Sequence, residues 1–387
     1  MYQANETRYD TMQYNRCGKS GLKLPTVSLG LWHNFGDFSS YDNMKNLCFT
    51  AFDHGITHFD LANNYGPEPG SAEKHFGLIL KEHLSAYRDE LLISTKAGYD
   101  MWKGPYGNWG SRKYLIASLD QSLQRLGLDY VDIFYHHRMD PETPLEETMG
   151  ALDQIIRSGK ALYVGLSNYD GATMKKACQI LTDLKCPFII NQNSYNIFNR
   201  TIENNGLKQA AREYGKGIIS FSPLSQGMLT DRYLHGIPSD SRVVTDGRFL
   251  HKEQLNEKRI HTIQQLNDLA AERGESLAQM PLKWVLKDND VTSVLVGASK
   301  PEQILYDNCP DFSGFNVRKH GLKTGSLKVC TRITVVRVPA QIGKAVLLCI
   351  GFKDTLLIGN GIALALQLVL MGKSWVKGGN WLLVGLS

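Results

Sequence analysis

A chain of 387 residues, 42% of them hydrophobic, can bury a large core, either as one α/β barrel or as two ordinary domains. Its net charge of +5 gathers at one end: residues 306–387 hold ten Lys/Arg against three Asp, while residues 1–305 hold 33 basic and 35 acidic side chains. A near-neutral body without a basic stripe excludes a nucleic-acid footprint, and seven scattered cysteines without CxxC spacing exclude a disulfide framework and read as reduced thiols in a cytoplasmic protein.

Residues 1–20 are polar and carry both charge signs, without the apolar core of about 7–15 residues that a secretory signal needs. The short polar segment Met12–Pro25 reads as a hairpin plugging a barrel floor. Eight strand-like runs follow: Thr26–Trp32, Thr57–Asn63, Leu91–Ala97, Val131–His137, Tyr163–Asn168, Phe188–Asn193, Gly217–Ser222 and Ser293–Ala298. Most are uninterrupted apolar stretches, as expected of parallel strands covered on both faces. Helical patterns lie between them. One runs from Ser111 as N-cap through Leu115, Leu119, Leu123 and Leu126 to Gly127 as left-handed cap. Another opens on a capping box, Thr143-Pro-Leu-Glu146, with proline at the first helical position, and stops at Gly159.

Eight strands alternating with helices predict a closed (β/α)8 TIM barrel of the α/β class. The runner-up, a doubly wound open sheet, would carry GxGxxG after its first strand. Leu31-Trp-His-Asn-Phe-Gly36 stands there instead.

Near residue 305 the pattern changes. Tyr306 to Ser387 holds no glutamate, eleven glycines and irregular apolar patches such as Ile333–Val338 and Ala345–Phe352, without a helical period. Leu356–Met371, broken by Gly359, Asn360, Gly361 and Gln367, is short of the roughly 20 residues of a membrane span. The expected domains are a barrel over 1–305 and a poorly packed extension over 306–387 that replaces the barrel's last helix. An uncovered apolar strip of a few hundred Å² would cost several kcal/mol at about 25 cal/mol per Å².

Asp60, Tyr65, Lys96 and His137 each stand at or just past the end of a strand-like run, where parallel α/β folds collect their chemistry. A phenol with a pKa near 10 protonates an alkoxide at neutral pH only where its surroundings ease loss of the proton. Lys96 supplies a positive charge for that purpose, Asp60 holds the lysine charged and oriented, and His137 meets the substrate oxygen or shares the proton. Tyr65, His137, Trp32 and Trp102 are the expected substrate contacts. No metal is expected, because adjacent His136 and His137 point to opposite faces of a strand and no third ligand is in evidence.

The remaining strand ends suit a nucleotide. Ser167, Asn168 and Gln192 offer partners for a carboxamide, and Phe221, ahead of Ser222-Pro223-Leu224-Ser225-Gln226-Gly227, offers a face for a flat ring. Gly297, Ser299 and Gln303 lie where backbone N–H groups open a helix, which favours phosphate. Arg232 and Arg242, in the long connection after the seventh run, are placed to clamp a further phosphate. Trp32 and Asp60 complete the expected cofactor contacts.

Taken together, Gly30-Leu-Trp32, Gly55-Ile-Thr-His-Phe-Asp-Leu-Ala-Asn-Asn-Tyr-Gly66, Ser94-Thr-Lys96, Tyr130-Val-Asp-Ile-Phe-Tyr-His-His137, Gly165-Leu-Ser-Asn168, Asn191-Gln192, Ser222-Pro-Leu224 and Gly297-Ala-Ser299 resemble the aldo-keto reductase family over residues 12 to about 305. Within it they look most like the branch of bacterial L-glyceraldehyde 3-phosphate reductases and voltage-gated potassium channel β-subunits. The resemblance implies an NADP(H)-dependent barrel reducing a small-molecule carbonyl substrate, with Tyr65 as proton donor, Lys96 and Asp60 as its tuning pair and His137 orienting the substrate. It places Phe221 on the nicotinamide and Arg232 with Arg242 on the adenosine 2′-phosphate, and it admits a homo-oligomer through barrel surfaces. A regulatory subunit that binds nicotinamide is the alternative, against which His137 argues, since that group typically has asparagine there. The other alternative is an inactive product of the atypical terminus, where Tyr306 and Asp307 stand in place of the family's acidic and amide residues.

Overall fold

The computed structural model describes residues 2–307 except 240, 246, 248 and 249, without the side chains of 242, 245, 306 and 307, and the backbone of 333–335, 348–352 and 355–357. The chain divides into two units, Met1–Leu322 and Lys323–Ser387. In the first, an antiparallel pair, β1 (Tyr14–Arg16) and β2 (Lys23–Pro25), precedes the barrel. Eight parallel strands then close on themselves: β3 (Val27–Gly30), β4 (His58–Asp60), β5 (Leu92–Ala97), β6 (Val131–His136), β7 (Ala161–Ser167), β8 (Phe188–Ser194), β9 (Gly217–Phe221) and β10 (Ser293–Val296). Their spatial order runs β10-β3-β4-β5-β6-β7-β8-β9, so each run read from the sequence supplies one strand.

Strands covered on both faces produce two concentric cores. The outer one lies between barrel and helices and includes Phe59, Phe76, Tyr114, Leu119 and Phe134. The inner one joins Ile133, Tyr135, Ile190, Ile219 and Leu295 to Cys17 and Leu24 of the hairpin segment. Lys19 donates its backbone N–H to the Gly215 carbonyl (2.8 Å), and the Cys17 thiol lies 3.5 Å from the Ile189 carbonyl. The predicted Met12–Pro25 hairpin thus closes the barrel floor. At Gly165 on β7 a Cβ would stand 2.2 Å from the Tyr135 ring, so glycine is what lets that ring lie across the interior.

The helices of the first part are α1 (Tyr41–Asp53), α2 (Ser71–Ile79), α3 (Arg112–Leu126), α4 (Leu145–Arg157) and α5 (Gly171–Asp183). The α3 caps are those predicted: Ser111 accepts from the Tyr114 N–H, and Gly127 is left-handed at φ 66°. The capping box at Thr143 does not form. Pro144 itself is the N-cap, with no side-chain cap bond, because Asp140 Oδ1 already accepts the Glu142 and Thr143 N–H groups.

Six shorter or later helices follow: α6 (Thr201–Asn204), α7 (Leu207–Tyr214), α8 (Arg242–Thr245), α9 (Glu257–Glu272), α10 (Gln279–Val285) and α11 (Pro301–Asp307). The sequence predicts that the helix after β10 is replaced. Seven residues of helix form there as α11, beside α1, with Ile304 fully buried. In the second unit β11 (Ile333–Val335), β12 (Leu348–Phe352) and β13 (Thr355–Leu357) pair antiparallel. Beyond these strands, the readings made for 308–387, Leu356–Met371 included, lie outside the described residues. Among the described residues no helix is long and apolar enough to cross a membrane, and Cys17, Cys48, Cys178 and Cys186 are buried free thiols.

Candidate active site

Parallel strands deliver their carboxyl ends to one rim of the barrel. Asp60 ends β4, Lys96 stands one residue before the end of β5, and His137 follows β6. Register places Asp60 beside Ser94, and Lys96 beside Tyr135. Lys96 and Asp60 are wholly buried, and Lys96 Nζ donates to Asp60 Oδ2 at 2.5 Å, to the Leu61 carbonyl at 2.6 Å and to the Tyr65 hydroxyl at 3.4 Å. Asp60 Oδ1 accepts from Ser94 Oγ at 2.6 Å and from Gln192 Nε2 at 3.1 Å. The His137 ring meets Tyr65 edge-on at 5.9 Å and Tyr99 at 4.7 Å. Trp32 lies 6.3 Å from Tyr65. The four residues singled out from the sequence therefore form one constellation at the mouth.

The electrostatics differ from the expectation in one respect. From the sequence, Lys96 is expected to ease the Tyr65 proton off, yet burial, and then the Asp60 carboxylate, raise the phenol well above its usual 10. Burial comes first, and the ammonium does little to offset it: it sits 2.5 Å from Asp60 and 3.4 Å from the phenol, so Tyr65 faces a nearly neutral pair. It remains protonated and partly open at the mouth. Burial also lowers Lys96 from its ordinary value, opposed by Asp60.

His137 is pushed well below 6.5 by burial and then by Lys96, so its ring is neutral, and its buried Nδ1 has no hydrogen-bond partner among the described residues. His136 faces away, its Nδ1 2.7 Å from the Tyr169 hydroxyl, as the alternation along a strand requires. Among the described residues no group of three potential metal ligands occurs.

Burial holds the imidazoles of His58 and His136 down to about 4. Between pH 6.5 and 4 the unfolded chain binds protons that the native state refuses, so this contribution is present above pH 6.5 and lost as pH falls. We expect urea unfolding to show a loss of up to about 3 kcal/mol per imidazole on going from pH 7 to pH 4. A stability unchanged over that range would show that these rings are protonated in the native state.

The residues read as nucleotide contacts are distributed as follows. Ser167 is buried at the end of β7, and Asn168, left-handed at φ 57°, donates to the His137 carbonyl at 3.0 Å and to Ser167 Oγ at 3.3 Å. Gln192 turns its amide to Asp60, a role the sequence does not suggest. Phe221 is partly exposed above the inner core. After it, Ser222, Ser225 and Gln226 are left-handed (φ 52°, 50° and 58°), as is Gly227 at 91°; Pro223 is buried and Leu224 partly so. Gly297 and Ser299 are exposed after β10. Gln303 Oε1 there accepts from the Ser299 and Lys300 N–H groups (2.7 and 3.2 Å), occupying donors that the sequence reading offers to phosphate. Arg232 lies in a short turn of helix at Asp231–Tyr233; the Arg242 side chain lies outside the described residues. Trp102 is half-buried against Tyr114, ring to ring at 5.2 Å.

Sequence reading misses Ser94, His58 and Arg138. Ser94 and His58 precede Lys96 and Asp60 by two residues, so the period of two along a strand marks all four as inward-facing. Arg138, stacked on Tyr99 (4.2 Å) and Trp109 (3.7 Å), carries no such signal.

A closed parallel barrel with a carboxylate, an ammonium, a phenol and an imidazole at its carboxyl rim defines the class of barrel oxidoreductases. Residues 26–307 match the model of the Aldo/keto reductase family, and the chain belongs to that family. It is similar to the L-glyceraldehyde 3-phosphate reductase of Escherichia coli K12, 56% identical over 304 residues, covering 78% of this chain and 88% of the relative. It also resembles a probable voltage-gated potassium channel subunit beta of Arabidopsis thaliana, 36% identical over 299 residues (76% and 89%). A putative subunit of the same kind from Schizosaccharomyces pombe is 37% identical over 296 residues (74% and 85%).

Proposed function

We propose that this chain reduces small aldehydes, phosphorylated ones such as glyceraldehyde 3-phosphate included, to alcohols with NADPH, with Tyr65 as the proton donor. The observation that carries the reading is the Lys96 ammonium placed between Asp60 (2.5 Å) and the Tyr65 hydroxyl (3.4 Å). A carbonyl oxygen held at Tyr65 and His137 receives a proton from a phenol whose emerging charge meets an ammonium already in position. Neutral His137 orients that oxygen without adding charge, and its Nδ1 lacks a partner among the described residues.

The residues at the mouth fit a nicotinamide nucleotide. Left-handed Asn168, Ser222, Ser225 and Gln226 each cost about 1–2 kcal/mol, and such strain collects at ligand clamps. Ser167, Asn168 and Gln192 would hold the carboxamide, Phe221 the flat ring, and Arg232 with Arg242 the 2′-phosphate. When bound, the reduced nicotinamide supplies hydride to the carbonyl carbon. Asp60 and Lys96 keep the phenol aligned beneath the substrate, and the aromatic rings of Trp32 and Tyr99 limit water.

The test is a pair of measurements on the whole chain. At one hundred times its dissociation constant, NADPH is expected to stabilise the fold by about 2.7 kcal/mol, seen as a raised melting temperature, with a smaller shift from NADH at equal concentration. Consumption of NADPH is then followed with glyceraldehyde 3-phosphate and with unphosphorylated aldehydes. A chain that neither shifts with cofactor nor consumes it with any aldehyde would sink the proposal.

A further inference from the structure

Beneath the rim, a line of hydrogen bonds crosses the barrel interior and ends on the proposed catalytic pair. Ser293 Oγ on β10 lies 2.7 Å from Ser28 Oγ on β3, Ser28 Oγ 2.9 Å from His58 Nδ1 on β4, and His58 Nε2 2.9 Å from Ser94 Oγ on β5. Ser94 Oγ then donates to Asp60 Oδ1 at 2.6 Å. All five side chains are fully buried.

Counting hydrogens fixes the direction of every bond. The Asp60 carboxylate, paired with an ammonium and taking an N–H from Gln192, only accepts, so the single Ser94 hydrogen goes to it. Ser94 therefore accepts from His58, which places the imidazole hydrogen on Nε2. With Nε2 donating, a neutral ring accepts at Nδ1, so Ser28 donates to His58 and Ser293 donates to Ser28. Burial keeps the ring neutral, its pKa lowered to about 4, as this pattern demands.

We propose that His58 is a positioning residue for the reduction: by donating from Nε2 to Ser94 it commits the Ser94 hydrogen to Asp60, and so fixes the carboxylate that holds Lys96 charged beside Tyr65. This rests on the reductase reading above. Without the imidazole, Ser94 is free to rotate from Asp60, the carboxylate becomes more basic and competes for the Lys96 proton, and the phenol loses the cation that stabilises its anion. His58 faces the charges of Asp60 and Lys96; Lys96 further faces Glu73, and Tyr65 faces Tyr99. None of these is altered by the His58 variants below.

The test compares wild type, His58→Leu, His58→Gln and Tyr65→Phe in both directions, aldehyde reduction and alcohol oxidation. His58→Leu is expected to lower kcat roughly tenfold, the size of one hydrogen bond lost from a charged acceptor, with little change in KM. In alcohol oxidation, where Tyr65 must lose its proton first, the apparent pKa rises by about one unit. His58→Gln, whose amide Nε2 donates at similar reach, recovers most of both.

A His58→Leu enzyme with wild-type kcat and pH profile overturns the inference, whatever its melting temperature. So does a His58→Gln enzyme as impaired as His58→Leu in both readouts. If His58→Leu does not fold, Ser94→Ala removes the same hydrogen from Asp60 without emptying the core, and the same shift is expected of it. A wild type that reduces no carbonyl, or a Tyr65→Phe enzyme as active as wild type, removes the reductase reading and this inference with it. An active wild type with an inactive Tyr65→Phe and an unaffected His58→Leu removes the inference alone.

Discussion

Replacing Tyr65 with phenylalanine is expected to lower kcat/KM for aldehyde reduction by roughly 10²- to 10⁴-fold, the range of a positioned general acid, while NADPH affinity stays within a few-fold of wild type. The substitution removes one oxygen. Among the described residues its hydrogen-bond contact is the 3.4 Å approach of Lys96, too long to carry much stability, so the melting temperature should hardly move. The ring itself, packed near Trp32 and His137, is retained. Steady-state kinetics beside a cofactor titration separates loss of chemistry from loss of binding. Retention of more than a tenth of the wild-type rate would mean that the proton comes from another group, with His137 next in line by geometry.

Replacing Lys96 with methionine carries the largest expected cost to the fold. Both members of the Lys96–Asp60 pair are at 0% exposure, and removing one partner of such a pair strands the other charge, at about 3–5 kcal/mol. Ser94 and Gln192 still donate to Asp60, which puts the loss nearer the lower bound. Adding Asp60→Asn to the same chain removes the stranded charge. The double variant is therefore expected to regain most of the stability in urea while remaining as inactive as Lys96→Met. An equal loss in both chains would show that the methionine packs badly in the core and that the charge is not the cause.

The barrel was legible because its strands are buried on both faces: apolar runs such as Leu91–Ala97 need no partner to declare themselves. The same property exposed the catalytic candidates, since Asp60, Lys96 and His137 are polar residues ending apolar runs. Polar residues within a run are harder to read. Ser94 and His58 look like ordinary strand residues until their spacing of two from Lys96 and Asp60 is noticed, and their partners Ser28 and Ser293 lie on strands joined only by barrel closure. Gln192 is legible by its position at a strand end, but the bond from its Nε2 to Asp60 is not. The Thr143 capping box failed because Asp140, three residues upstream, competes for the same N–H, a contest that a motif does not encode. For Tyr65 the expected direction of its pKa reversed, because the sequence lists the charges around a phenol and omits the water taken from it.

The hairpin segment beneath the strands has a bearing on proton traffic. With Cys17 and Leu24 packed into the base of the barrel, the line from Ser293 to Asp60 begins at a hydroxyl that is fully buried among the described residues. With each of its hydrogens committed in one direction, such a line fixes polarity. On the proposed reduction, a proton given up by the phenol would be replenished through the rim, and a slow exchange at that step would register as a solvent isotope effect on turnover.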